Sequence, residues 1–130
     1  MPAEQYLSFI EQTLHYFDRP HERVIDAPVV CEAAWRGEQL PPVEALAYHL
    51  SAAEVVELEE AVAAARATGR PTRDLTAADF PLPTLSPRFM EWRQTIVDGR
   101  GFQVVRGVPV EQWSQAESEL FFWCFGLHLG

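Results

Sequence analysis

Four histidines, two cysteines and nineteen carboxylates are the groups through which this 130-residue chain could do chemistry. The histidines are His15, His21, His49 and His128, and none stands in a His-x-Asp or His-x-Glu pair. His15, Asp18 and His21 come nearest to a ligand cluster. A metal needs neutral imidazoles and an ionised carboxylate converging on one point. Pro20 interrupts the helix that would align these three, so they read as solvated polar groups at a helix end. His49 precedes a helix cap and reads as a surface or packing residue. His128 falls on the last turn of a helix, where a cation suits the dipole.

Nucleophiles are no better placed. Cys124 is embedded in Phe121-Phe122-Trp123-Cys124-Phe125, where apolar surroundings raise a thiol's pKa and make it inert. Cys31 follows Val29-Val30 with no histidine nearby in sequence, and the pair reads as two buried thiols in place of a disulfide. No serine sits in a Gly-x-Ser-x-Gly elbow. Gly99, Gly101 and Gly107 match neither the dinucleotide fingerprint nor a phosphate loop, and read as glycines that close a helix and enter a strand. Arg106 shares a strand face with Phe102 and Val104. It could reach a carboxylate ligand or pair with a buried acid, a structural ion pair being the commoner fate. Glu57, Glu59 and Glu60 read as a solvated helix face. The residues therefore assign no catalytic, cofactor-binding or metal site.

Charge excludes two classes of partner. The net charge is -9 and all ten basic residues are arginine. Phosphate neutralisation needs a basic face, which argues against nucleic acid, and an anionic membrane surface repels such a chain. No stretch approaches the roughly 18 apolar residues of a membrane span. Glu4 and Glu11 stand where a signal peptide would be basic and then apolar, so the chain reads as cytoplasmic.

The elements that must position these groups are mostly helical. Tyr6, Phe9, Ile10, Leu14 and Phe17 predict a helix over 3–17, stopped by Asp18-Arg19-Pro20. An irregular arm follows, with a short extended piece at 27–31, and Trp35 marks it as a loop wrapped over a larger body. Ser51 and Glu54 form a capping box opening a helix over 52–68, with Val55, Leu58, Val62 and Ala65 inward and Thr68-Gly69 as its stop. Ser86-Pro87 predicts a cap with proline at the first helical position, then a helix burying Phe89, Trp92 and Ile96. Residues 102–106 predict one clear strand. Ser114 and Glu117 cap a last helix carrying Leu120, Phe121, Cys124 and Leu127. The aromatics Trp113, Phe121, Phe122, Trp123 and Phe125 exceed one helical stripe, which implies burial on several sides or an exposed patch. A single strand lacks partners for its edges, so the chain is expected to be part of something larger.

The segment Gly99-Arg100-Gly101-Phe102-Gln103-Val104-Val105-Arg106-Gly107-Val108-Pro109 resembles the "GRGF…RG.P" strand of TauD/TfdA-like Fe(II)- and 2-oxoglutarate-dependent dioxygenases. Four further elements resemble that family in order: Ala34-Trp35-Arg36-Gly37 with Leu40, Leu50-Ser51 with Glu54 and Glu57-Leu58, Asp79-Phe80-Pro81-Leu82-Pro83, and the helix ending Leu127-His128-Leu129-Gly130. The resemblance spans about residues 33–130. It implies an α+β chain: the mostly helical N-terminal segment of a double-stranded β-helix (jelly-roll) dioxygenase, with residues 1–32 as a helix and irregular arm.

In that family a His-x-Asp/Glu pair and a distal histidine hold iron, and an arginine grips 2-oxoglutarate. The resemblance places this set downstream of the "LG" helix, so no residue here inherits a role in it. Iron and 2-oxoglutarate are expected of the parent and not of this chain, which by itself is expected to be inactive, its end at Gly130 reading as a cut. The partner expected is the remainder of the domain, or a second copy through the aromatic C-terminal helix. The competing reading is a non-catalytic helical interaction or dimerisation module.

Overall fold

The computed structural model describes residues 8–17 and 26–130, with the side chains of His15 and Tyr16 excepted. The chain divides into two compact units, residues 1–30 and 31–130. Helix α1, Phe9–Phe17, belongs to the first. The Ser8 N–H donates to Glu11 Oε2 at 2.7 Å and the Glu11 N–H to Ser8 Oγ at 3.3 Å. This reciprocal cap starts the helix at Phe9, with Ser8 already outside it, in place of the predicted start at residue 3. Tyr6, Asp18, Pro20 and His21 lie outside the described residues. Residues 26–31 form no strand, and Cys31 is exposed instead of buried.

In the second unit three helices enclose one core. Helix α2, Val43–Leu46, leads directly into strand β1, Ala47–His49. Helix α3 is Ala52–Ala67, α4 is Ser86–Val97, strand β2 is Val104–Arg106 and α5 is Gln115–Leu129. Helix α3 begins at the predicted capping box: the Ser51 N–H donates to Glu54 Oε2 at 2.8 Å, and the Glu54 N–H to Ser51 Oγ at 3.3 Å. It ends at Gly69, whose φ of 67° a side-chain-bearing residue adopts only with strain. Leu58, Ala61, Val62 and Ala65 of α3 meet Phe89 and Trp92 of α4 and Leu120 and Cys124 of α5, and Phe80, Leu82 and Leu85 fill the space between. Each large apolar side chain so enclosed is worth about 1.5–3 kcal/mol. That places the proline-flanked Phe80 and Leu82 at the centre of the fold. Ile96 and Leu127, predicted inward, are more than a third exposed, because each helix turns a narrower stripe to the core than its apolar content suggests.

The fold is α+β and mostly helical, but it has two strands where one was expected. β1 pairs with β2 in parallel, with Ala47 opposite Val104, Tyr48 opposite Val105 and His49 opposite Arg106. Parallel strands cannot be joined by a tight turn, and α3 and α4 make the crossover. β2 covers 104–106 in place of 102–106. It ends at Gly107, with φ 93°, where an added Cβ would lie 3.5 Å from Leu50 Cβ.

Candidate functional site

Segments distant in sequence converge at the entrance to β2. The Trp35 Nε1–H donates to the Arg100 carbonyl at 2.9 Å, and the Trp35 ring stands edge-on to Phe102 with centroids 5.3 Å apart. The Arg100 guanidinium donates to the Leu46 carbonyl at 3.1 Å, the Phe102 carbonyl at 3.1 Å and Gln103 Oε1 at 2.8 Å. It also lies 5.4 Å from the Phe102 ring centroid. The Gln103 amide donates in turn to the Val104 carbonyl at 2.8 Å. The loop, the end of α2 and the entrance to β2 are thus locked by one tryptophan and one arginine, a planar group with five donors. Gly101, with φ 86°, lets the chain turn here beside Ala33.

A second set of groups holds α3 against the sheet and α4. The Tyr48 hydroxyl donates to Glu54 Oε1 at 2.6 Å, and the Tyr48 ring packs edge-on against Trp92. The bond to this carboxylate, with burial, raises the Tyr48 pKa. Burial pushes the Glu54 carboxyl up, but the bonds from Tyr48 and Ser51 and the charge of Arg88 outweigh it and hold it below its ordinary value.

Glu57 corrects the expectation of a solvated face. It is buried, and its two oxygens accept the backbone N–H groups of Thr84 at 2.7 Å and Leu85 at 3.0 Å. Ser86 is already helical, with its Oγ donating to the Leu82 carbonyl at 2.8 Å, so it is not the cap that was predicted. Glu57 satisfies the free donors at the start of α4 from another helix, the position where a carboxylate also suits the dipole.

His49 is exposed, with Nε2 3.3 Å from Glu44, and the Arg106 Nη2 reaches the same carboxylate at 3.0 Å. Arg106 is therefore in a surface ion pair within the protein. His128 is wedged against Phe80 and Phe89, its Nε2–H donating to the Phe80 carbonyl at 2.7 Å. It closes the last turn of α5 onto the core. Burial, with the charge of Asp79, raises the Cys124 thiol above its ordinary value, leaving it a poor nucleophile. Glu32, Glu91 and Asp98 border one surface hollow of about 400 Å³. Among the described residues, however, no three histidine, cysteine or acidic side chains approach closely enough to hold a metal ion. These residues do not fit an iron site. Arg100 is engaged by three oxygens and Arg106 by the Glu44 carboxylate.

No family model matches the chain. It is similar to the taurine hydroxylase-like protein SAT17 of Stachybotrys chartarum, 31% identical over 99 residues that cover 76% of this chain and 26% of that protein. The chain has a hydroxylase-like relative. It is also similar to FR-33289 synthase of Streptomyces rubellomurinus, 27% identical over 107 residues covering 82% of this chain and 32% of the synthase. The chain spans about a quarter to a third of the length of these curated relatives. The hydroxylase-like name agrees with the oxygenase resemblance of the motifs, and those motifs are the ones joined at the Trp35–Arg100 lock and around Glu54, Glu57 and Phe80.

Proposed function

We propose that the chain is the N-terminal portion of a TauD/TfdA-like Fe(II)- and 2-oxoglutarate-dependent dioxygenase that oxidises a small organic substrate. The observation that carries this is the convergence of the family-like elements, spread from Ala34 to Gly107, on one small sheet. Parallel sheets are characteristically covered and extended by neighbouring strands. In this ladder the backbone of Tyr48 faces β2 while the N–H and C=O of Val105 face away. On this reading a jelly-roll continues from that open edge, and iron and 2-oxoglutarate are held by residues beyond this chain. The chain alone is then inactive: a scaffold of helices and one sheet edge. No helix among the described residues is long and apolar enough to cross a membrane. We place the protein in the cytoplasm, where the unpaired thiols of Cys31 and Cys124 remain reduced.

The test is to read the coding locus beyond the Gly130 codon and to assay the purified chain with Fe(II), oxygen and 2-oxoglutarate. The expected result is an open frame with a His-x-Asp/Glu pair and a distal histidine, and no succinate from the 130-residue chain. An immediate stop codon would overturn the reading, and succinate formation would overturn the inactivity.

A further inference from the structure

We draw no further inference here: the strongest candidate, the hollow of about 420 Å³ between helix α3 and the Pro81–Pro83 segment, bordered by Ala53, Val56, Glu60 and Ala64, is an unpartnered face, and nothing in the structure shows what covers it.

Discussion

Removing the Glu57 carboxylate tests the least expected contact in the core. Glu57→Ala leaves the N–H groups of Thr84 and Leu85 without their acceptor at 2.7 and 3.0 Å. The Leu85 bond is buried, so water cannot replace it at no cost. A hydrogen bond to a charged group contributes about 1.5–3 kcal/mol, and the loss of a helix cap about 1 kcal/mol. The two descriptions overlap, since these bonds are the cap, and Thr84 is exposed enough to regain a water. About 2–4 kcal/mol is therefore expected. Glu57→Gln keeps the shape and one acceptor but turns an NH₂ toward a second donor, so it should cost about half as much. Glu60→Ala, on an exposed part of the same helix, should stay within about 0.5 kcal/mol. Urea unfolding of the three variants and the parent gives the differences at constant m, and a loss of about 2–4 kcal/mol lowers Tm by roughly 10–30 °C in a unit of this size. If Glu57→Ala melts with Glu60→Ala, Glu57 does not cap α4.

Stability should fall at both ends of the pH scale. Glu54, Asp79 and Glu117 are held below their ordinary values of 4.5, 3.8 and 4.5. Asp79 and Glu117 owe this chiefly to bonds from Thr76 and Ser114, with ion pairs to Arg70 and Arg66 adding to it. A depressed folded pKa gives stability that is complete above the unfolded value and lost as pH falls through the folded one, so urea midpoints should drop below about pH 4.5. Tyr48 and Cys124 are raised above 10.0 and 9.0, so their contribution is complete below those values and lost as pH climbs through the folded ones. Tyr48→Phe should flatten the alkaline limb, and a midpoint indifferent to pH would refute these assignments. The thiols should separate by reactivity: Cys31 modified at once by an aromatic disulfide reagent, Cys124 only on unfolding. Two equivalents released at one rate from the native chain would contradict the burial of Cys124.

What the sequence made legible is what depends on neighbours three and four residues apart. The boxes at Ser51–Glu54 and Ser114–Glu117 are local spacings, and the structure forms both. β1 is three residues, Ala-Tyr-His, with neither an apolar run nor a bounding turn, and it exists as a strand only through its pairing with β2. Glu57 was misread because its partners lie across the core. Two signals could have found it. It follows Glu54 by three residues and flanks the Leu58–Ala61–Ala65 stripe, so an inward position was open to it. And the N–H groups of Thr84 and Leu85, in the turn before α4, have no backbone acceptor, so a side chain from elsewhere had to supply one.

The motifs that resemble an oxygenase turn out to hold backbone in place. Trp35, Arg100 and Gln103 spend their donors on main-chain and neighbouring amide oxygens, Glu57 accepts main-chain N–H groups, and His128 donates to a main-chain carbonyl. Each of these atoms is thereby committed to the fold. On the dioxygenase reading proposed above, activity comes from residues outside this set. The contribution of this region to it would be positional: β2 and the helices that pin it fix where a further strand can add.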